Sequence, residues 1–306
     1  MPPIGRFAPS PTSDLHLGNL RTALAAWLLA RASGGGFIVR NEDLDTQRVS
    51  AASGVAARQL ADLAAIGLDW DGAVVSQSDR LGLYADAISA LGEDVYPCFC
   101  TRREIAEAAS APHDGYRAYP GTCARLSSAQ RAEKARTRAP ALRVRAGEAS
   151  FTVRDLHAGE VTGEVDDFVL LRGDGTPAYN LAVVVDDAAQ GITQVTRGDD
   201  LLASAPRQAW LADRLGLDVP EYAHVSLVVN GSGQRLAKRD GAVTLTDLSD
   251  HPIGETVGWL TRSLGLGTHP TPQDALANLP DGFTGTDSWW RQVVWLGKTT
   301  PPPRVE

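Results

Sequence analysis

The stretch that most constrains the fold is the opening one, where an apolar segment, a proline-rich turn and a helix-like segment follow each other. Ile4–Ala8 is predicted as a strand, and apolar residues recur at helical spacing from Leu17 to Ala32. The glycines of "SGGG" (33–36) end this helix, because glycine accepts the left-handed conformation of a C-cap, and "FIVR" (37–40) predicts a second strand. A strand, a helix and a strand in this order form a βαβ unit. The predicted fold class is therefore α/β with a parallel sheet.

The rest of the chain predicts that this α/β fold is interrupted by an insertion. Helices are predicted around 50–66 and 79–91, and alternating runs near 141–171 predict short antiparallel strands. The α/β pattern returns after "LAVVVDD" (181–187) with three elements: a strand near 193–197, a helix at about 204–215 and a strand at 224–229. One more helix, at about 253–264, precedes a tail rich in proline and glycine.

Charge is distributed unevenly along the chain. The whole sequence carries a net charge of −8, which argues against wholesale non-specific binding to nucleic acid or a membrane. Residues 101–154 nevertheless hold eleven Lys/Arg and five Asp/Glu, a net charge of +6, so the remainder carries −14. This basic segment is either a solvated surface or a surface that faces RNA, and its contrast with the rest favours RNA.

Composition also narrows the class of protein. A length of 306 residues accommodates about two domains, since one domain per ~150 residues is usual. No signal peptide is visible at the N-terminus, and the longest helical apolar stretch, "ALAAWLLA" (23–30), falls well short of a membrane span. Three cysteines do not form a secreted disulfide framework. We therefore expect a cytoplasmic protein with no membrane partner.

The turn after the first strand has the chemistry of a nucleotide site. Ligands of open parallel sheets sit outside the carboxyl ends of the strands, and a helix N-terminus offers N–H groups to phosphates. His16 can donate a hydrogen bond to a phosphate oxygen, and Gly18 lets an adenine or ribose approach the backbone. From spacing alone, a plain strand–helix turn with a solvent-facing histidine fits equally well. The other phosphate motifs, GxxxxGK[ST] and GxGxxG, are absent.

Three motifs in order resemble a known family. "PSPTSDLHLGN" (9–19) resembles the HIGH motif of class I aminoacyl-tRNA synthetases in its glutamyl form, "RNEDLDTQR" (40–48) resembles the segment that follows, and "QRLAKRDGA" (234–242) resembles the KMSKS loop. The resemblance covers about residues 3 to 250 and implies a Rossmann-type parallel-sheet catalytic domain. It departs from the common pattern at Asn41, where an apolar residue is usual, and at Ala237, where serine is frequent.

This resemblance implies roles for individual residues. His16, Gly18 and Lys238 would be catalytic, and Asn19 would join them in binding ATP. A lysine on a mobile glycine-containing loop can follow the charge that develops on the phosphates. Glutamate carries two carboxylates and one ammonium, so its pocket needs arginines and a carboxylate. The implied glutamate-binding set is Arg6, Phe7, Ala8, Pro9, Ser10, Glu42, Tyr179 and Arg197.

The cysteines form a second pattern, "CFC" at 98–100 with "YPGTC" at 119–123. Three thiolates suit Zn²⁺, and a structural tetrahedral site needs a fourth ligand. The pattern resembles the zinc site of the glutamyl-queuosine tRNA(Asp) synthetases, which implies one structural Zn²⁺ per chain held by Cys98, Cys100, Tyr119 and Cys123. His113 and Tyr116 are alternative fourth ligands, and three unrelated reduced cysteines are the plain alternative.

The resemblance also implies a domain division. We expect residues 1–95 to form the first half of the catalytic domain, 96–175 the inserted zinc-containing basic domain, 176–250 the second half with the KMSKS-like loop, and 251–306 a short helical C-terminal segment. The acidic pairs Asp186–Asp187 and Asp199–Asp200 are predicted to be helix caps and loop charges rather than catalytic pairs.

The implied reaction has two steps. Glutamate is activated with ATP and Mg²⁺ without tRNA, and is then esterified onto queuosine at the wobble position of tRNA(Asp). The partners would be ATP, L-glutamate and queuosine-containing tRNA(Asp), with the protein a monomer. This assignment draws on the expectation that the chain lacks the long anticodon-reading portion of glutamyl-tRNA synthetases. Two alternatives remain: a truncated enzyme that charges a tRNA 3′ end, and a catalytically silent, zinc-stabilised RNA-binding relative.

Overall fold

A computed structural model of the chain describes residues 2–101, 103–105, 119–230 and 243–295. The strands that it describes are β1 (Ile4–Phe7), β2 (Gly36–Asn41), β3 (Val75–Ser76), β4 (Val95–Cys98), β5 (Ala141–Val144), β6 (Ala149–Asp155), β7 (Gly159–Val165), β8 (Val169–Leu171), β9 (Gln194–Gly198), β10 (Glu221–Val225), β11 (Val228–Asn230) and β12 (Val293–Trp295). The α-helices are α1 (Leu17–Ala32), α2 (Thr46–Ser50), α3 (Val55–Ala65), α4 (Leu81–Ala90), α5 (Ser128–Ala135), α6 (Tyr179–Ala189), α7 (Ala205–Arg214), α8 (Ile253–Ser263) and α9 (Pro272–Ala277).

The main sheet has the strand order β3-β2-β1-β9-β10-β6-β7. Its neighbouring strands are parallel except β6 and β7, so the predicted α/β class and the opening βαβ unit are confirmed. Parallel strands end at the same edge, which brings the carboxyl ends of β1, β2, β9 and β10 together. Arg6, Arg197 and His224 lie near these ends, and His224 is the register partner of Arg197. Ligands bind at such an edge in open α/β sheets.

Helix α1 lies in the largest apolar cluster, with Leu17, Leu20, Leu24 and Leu28 all completely buried. Its C-terminal end follows the prediction. Gly34 has φ +65°, the left-handed conformation that favours glycine, and a Cβ on Gly35 would lie 2.0 Å from the Pro3 carbonyl oxygen. These glycines therefore let the chain turn directly from α1 into β2.

Two predicted elements are divided in the structure. The predicted strand 224–229 is two strands, because β10 ends at Val225 and the Ser226 N–H donates to the Trp289 carbonyl (2.7 Å), after which β11 pairs with β12 in a separate sheet. The predicted helix 50–66 is likewise replaced by α2 and α3. Gly54 has φ +71°, which an α-helix does not accommodate.

The inserted region contains the predicted antiparallel strands. β5 lies between β4 and β8, and β6 forms a hairpin with β7. β6 also pairs with β10, through Tyr222 and Asp155, so this hairpin extends the main sheet. Among the described residues no helix has the length and apolarity that crossing a membrane requires.

Candidate active site

The turn before α1 is organised around the His16 side chain. Its Nδ1 accepts hydrogen bonds from the N–H groups of Gly18 (3.1 Å) and Asn19 (3.3 Å), while the Asn19 Oδ1 accepts from the His16 N–H (3.2 Å). Because Nδ1 is an acceptor, the neutral imidazole carries its proton on Nε2. A Cβ on Gly18 would lie 3.0 Å from Nδ1, so a side chain at this position would push against the imidazole. Gly18 is thus needed for the placement of His16.

The N–H groups of the first three residues of α1 all have acceptors within the protein. The N–H of Leu17 donates to the Val243 carbonyl (2.9 Å), and those of Gly18 and Asn19 donate to His16. His16 thus caps the helix backbone.

Lys238 and Ala237 lie outside the described residues, as does the whole segment 231–242. The residues that flank this segment are described. On one side Thr244 forms a β-bridge with His16. On the other side Val228 in β11 lies 3.6 Å from the point where a Gly18 Cβ would stand. Described residues on both sides of this segment therefore lie beside the His16 turn.

Arg6 is held by a buried carboxylate from α6. Its Nε and Nη2 donate to Asp187 (3.2 and 3.3 Å), and its Nη1 donates to the Thr196 carbonyl (3.3 Å). The Arg6 and Asp187 side chains are 4% and 9% exposed. The positive charges of Arg6 and Arg40 hold the pKa of Asp187 below its usual range in spite of its burial. The Arg6 charge is thus balanced inside the protein.

Asp186 and Asp187 lie within α6 and are buried, so their predicted role as helix caps or loop charges is wrong. Their partners come from elements distant in sequence. Arg40 Nη1 donates to Asp187 (2.8 Å), and Asp186 accepts from Arg80 Nε (2.6 Å) and the Tyr84 hydroxyl (2.8 Å). This network ties α6 to β2 and α4.

Glu42 and Tyr179 come close to this network. The Glu42 side chain is 8% exposed and accepts from Arg40 Nη2 (3.3 Å). Burial raises the pKa of Glu42, although Arg40 and Arg6 act in the opposite direction. Tyr179 begins α6, and the charges of Arg197, Glu42 and Arg6 all act on its hydroxyl. The structure therefore brings three of the predicted side chains, Arg6, Glu42 and Arg197, within electrostatic reach of a fourth, Tyr179.

Arg197 is held by neutral groups. Its Nε donates to His224 Nε2 (3.0 Å), its Nη1 to the Gln208 Oε1 (2.6 Å) and its Nη2 to the Leu201 carbonyl (3.2 Å). The guanidinium also lies 5.4 Å from the centre of the Tyr222 ring. In the part of the chain that the structure describes, no carboxylate pairs with Arg197.

The remaining predicted pocket residues shape the backbone next to β1. Phe7 is buried at the end of β1, and Ala8 follows it. The Pro9 carbonyl accepts from the Glu42 N–H (3.0 Å), and the Ser10 carbonyl accepts from Gln59 Nε2 (3.1 Å). This segment is thus fixed against β2 and α3.

The cysteines form a compact cluster apart from the sheet edge. The sulfur atoms of Cys98, Cys100 and Cys123 all lie within 4.8 Å of one another and could hold a metal ion. The Tyr119 hydroxyl lies 3.3 Å from Cys98 Sγ and 3.6 Å from Cys100 Sγ, and it accepts from the Cys123 N–H (2.8 Å). Burial raises the pKa of Cys100 to about 12. The alternative ligands His113 and Tyr116 lie outside the described residues.

Comparison with known proteins identifies the family. Residues 4–263 match the model of the catalytic domain of class I tRNA synthetases (E and Q). The chain belongs to this synthetase family. It is 58% identical to a Glutamyl-Q tRNA(Asp) synthetase of Nocardia farcinica, over 93% of this chain and 92% of the relative, and 55% identical to one of Cutibacterium acnes, over 95% and 88%. Within the synthetase family the chain groups with these glutamyl-Q tRNA(Asp) synthetases.

Solved structures agree with this assignment. A glutamate tRNA ligase of Elizabethkingia meningosepticum, in complex with its amino acid, superimposes with a TM-score of 0.76 at 26% identity over 92% of this chain. A glutamate-tRNA synthetase of Elizabethkingia anophelis gives a TM-score of 0.77 at 25% identity. This synthetase chain spans 65% and 66% of the length of those two chains.

Sequence reasoning missed the residues that hold the two arginines, namely Asp187 behind Arg6 and His224 behind Arg197. A signal existed for the first, because two adjacent carboxylates at the end of "LAVVVDD" interrupt an apolar run. A buried charge of this kind needs a cationic partner. For His224 there was no comparable signal, since the sequence indicated only that the residue lies in a predicted strand.

Proposed function

We propose that the chain activates L-glutamate with ATP and transfers the glutamyl group to queuosine at the wobble position of tRNA(Asp). The observation that carries this proposal is that Arg6 and Arg197, near the carboxyl ends of β1 and β9, and Glu42 all lie within electrostatic reach of Tyr179. The residues of this edge complement glutamate, and the chain is 58% identical to a protein named Glutamyl-Q tRNA(Asp) synthetase.

Charge complementarity supports glutamate as the amino acid. Glutamate brings two carboxylates and one ammonium, a net charge of −1. Arg197 offers a positive charge with which no carboxylate of the described chain pairs directly, and its described contacts use three of its five N–H groups. Arg6 also has two N–H groups left beside its three described contacts. Glu42 would take the ammonium, and the Tyr179 hydroxyl would fix its orientation.

ATP would lie over the turn that contains His16, Gly18 and Asn19. A carboxylate oxygen of glutamate attacks the α-phosphorus, the bond from that phosphorus to the bridging oxygen breaks, and pyrophosphate leaves with Mg²⁺. His16 Nε2–H and Lys238 would donate to phosphate oxygens as their charge develops. Val228 and Thr244, which flank the segment with Lys238, lie at the His16 turn, and this supports the pairing.

In the second step a queuosine hydroxyl oxygen attacks the acyl carbon of glutamyl-adenylate. An ester bond forms, the bond to AMP breaks, and the hydroxyl proton passes to the departing phosphate or to water. No protein nucleophile is needed, because the enzyme acts by holding the two reactants together. The basic segment 101–154 is the surface that we propose for the tRNA, by its net charge of +6.

The cysteine cluster is proposed to hold a structural Zn²⁺. Tetrahedral zinc with sulfur at about 2.3 Å has ligand–ligand distances of about 3.8 Å. The 3.5 Å between Cys100 and Cys123 Sγ and the 3.6 Å between Cys100 Sγ and Tyr119 Oη are close to this value. Zinc would stabilise the thiolates and fix β4 to the segment around Cys123. Elemental analysis tests this: Cys98→Ser should lose the metal, Tyr119→Phe should keep it more weakly, and zinc-free wild-type protein after reconstitution would contradict it.

The test of activation is pyrophosphate–ATP exchange in the absence of tRNA. We expect exchange that depends on glutamate and is lost in Lys238→Ala, because that variant still binds glutamate but lacks the lysine charge. Absence of exchange in folded, metal-loaded wild-type protein would favour the silent RNA-binding alternative.

The test of transfer compares three acceptors: tRNA(Asp) with queuosine, tRNA(Asp) transcript without it, and tRNA(Glu) transcript. We expect labelled glutamate to appear only on the first. Efficient charging of tRNA(Glu) transcript would show instead that the chain acts on a tRNA 3′ end.

A further inference from the structure

A buried chain of three side chains runs across the main sheet to Arg197. The Asp155 Oδ2 atom at the end of β6 lies 2.6 Å from His224 Nδ1 on β10, and His224 Nε2 lies 3.0 Å from Arg197 Nε on β9. The side chains of Asp155 and His224 are fully buried. Burying charged and polar groups costs free energy unless each has a hydrogen-bond partner. Each group in this chain has such a partner.

The hydrogen-bond roles in this chain are fixed by Arg197. The Arg197 Nε–H is always a donor, because guanidinium does not lose its proton in proteins. His224 Nε2 must then be the acceptor, and the imidazole proton lies on Nδ1 and points to Asp155. Burial lowers the pKa of His224, which keeps the ring neutral at pH 7. One tautomer alone satisfies both neighbours.

Asp155 is itself held rigidly. Its Oδ1 accepts from the backbone N–H groups of His157 (2.9 Å) and Ala158 (2.8 Å), and its Oδ2 also accepts from the His224 N–H (3.0 Å). These bonds leave the carboxylate no freedom to rotate away from the imidazole. The tautomer of His224 is therefore set by the backbone at the end of β6.

We propose that Asp155 and His224 are positioning residues that fix the Arg197 guanidinium for the carboxylate of glutamate. This rests on the proposed function, in which Arg197 binds that carboxylate. Held on its Nε side by a neutral ring, Arg197 has no carboxylate in direct contact that would compete with the substrate, and it cannot rotate out of the pocket. An acidic partner in place of His224 would hold the arginine equally well but would neutralise it.

The kinetic test compares two replacements of His224. Leucine removes the acceptor, whereas the Oε1 of glutamine can reach the place of Nε2 and accept from Arg197. We expect His224→Leu to raise the KM for glutamate by about ten- to a hundredfold, the range of one hydrogen bond to a charged group, with a smaller change in kcat. His224→Gln should restore most of the affinity. Equal KM values for the two variants would overturn the proposal, because packing alone would then explain the loss.

A matched control is His157→Gln. His157 also lies close to Asp155 and is partly buried, but its ring packs against Trp289 (5.3 Å) rather than towards Arg197. We expect its KM for glutamate to equal that of the wild type. A rise like that of His224→Leu would show a general effect of this region and would count against the proposal.

A spectroscopic test does not depend on activity. The measurement is ¹⁵N NMR of protein labelled with ¹⁵N-histidine. The signals of His224 are assigned as those that disappear in His224→Gln. We expect the neutral tautomer with the proton on Nδ1 at pH 7. The opposite tautomer or a charged ring would overturn the proposal even in an active enzyme. The expected tautomer together with no glutamate-dependent exchange would instead reject the proposed function and leave the hydrogen-bond chain in place.

Discussion

The two arginines of the pocket are held in opposite ways. Arg6 faces the buried carboxylate of Asp187 through two N–H groups, and Asp187 also pairs with Arg40. Arg197 is held by an imidazole, an amide and a carbonyl, none of them charged at pH 7. The Arg6 guanidinium is thus paired directly with a carboxylate before a substrate arrives, whereas the Asp155 carboxylate is separated from Arg197 by the His224 ring. We infer that Arg6 chiefly shapes the pocket and that Arg197 chiefly attracts the anion.

The largest expected effect is on stability, and it concerns the carboxylate that holds Arg6. Asp187→Asn leaves Arg6 and Arg40 without their shared carboxylate, so the free energy of unfolding should fall by about 3–5 kcal/mol, as for a buried ion pair that loses one partner. Urea unfolding measures this. The matched control is Asp45→Asn, whose exposed pair with Arg48 (3.4 Å) should contribute about 1 kcal/mol or less. If the two variants lose similar amounts of unfolding free energy, the buried Asp187 contributes no more than an exposed ion pair, and the structural role of the Arg6 side is contradicted.

The next effect concerns Arg197 and the binding of glutamate. Arg197→Ala should raise the KM for glutamate by about a hundredfold, because a charge-assisted pair of hydrogen bonds is lost. Arg197→Lys should recover part of the affinity through its charge but not the two-pronged contact. The measurement is pyrophosphate–ATP exchange against glutamate concentration, repeated with glutamine. Unchanged preference for glutamate over glutamine in Arg197→Ala would mean that another group reads the side-chain carboxylate.

A smaller effect is expected at Glu42, which belongs to the Arg6 side. Glu42→Gln keeps the shape but removes the charge for the substrate ammonium, so the KM for glutamate should rise by about tenfold. The same exchange assay measures it. If the KM stays as in the wild type, Glu42 only neutralises Arg40 (3.3 Å) and the ammonium is bound elsewhere.

The smallest effect is a pH dependence of stability from His224. Its pKa is lowered in the folded chain, chiefly by burial and against the pull of Asp155, with Arg197 and Arg6 also disfavouring the proton. The unfolded chain therefore takes up the proton first as the pH falls below about 6.5, and stability is lost from there down to the folded pKa. Urea unfolding between pH 7 and 5 should show this loss, reduced in His224→Gln; identical profiles would contradict it.

Much of the fold could be predicted, because it depends on local patterns. The spacing of Leu20 and Leu24 and the glycines after α1 determine the opening βαβ unit, which the structure confirms. The motifs predicted the residues that meet at the sheet edge, whose roles remain predictions. Local patterns could not show that the strand at 224–229 divides, since the bond that takes the Ser226 N–H comes from Trp289, far along the chain.

The partners of the supporting residues of the site could not be predicted, for a similar reason. Asp187 lies 181 positions from Arg6, and Asp155 lies 69 positions from His224. The order of the strands in the sheet decides which charged residue pairs with a buried carboxylate. The spacing of residues along the sequence does not show that order. The prediction for Asp186 and Asp187 was wrong because an acidic pair near a helix end usually caps or stays solvated, whereas here it balances three arginines.

The most direct test of the central claim is to locate the glutamyl group after the full reaction. Protein, ATP, glutamate and queuosine-containing tRNA(Asp) are incubated together, the tRNA is digested to nucleosides, and the wobble nucleoside is examined by mass spectrometry. We expect queuosine that carries one added glutamyl group, and no glutamate on the 3′-terminal adenosine. Glutamate on the terminal adenosine, or unmodified queuosine beside active glutamate-dependent exchange, would contradict the account.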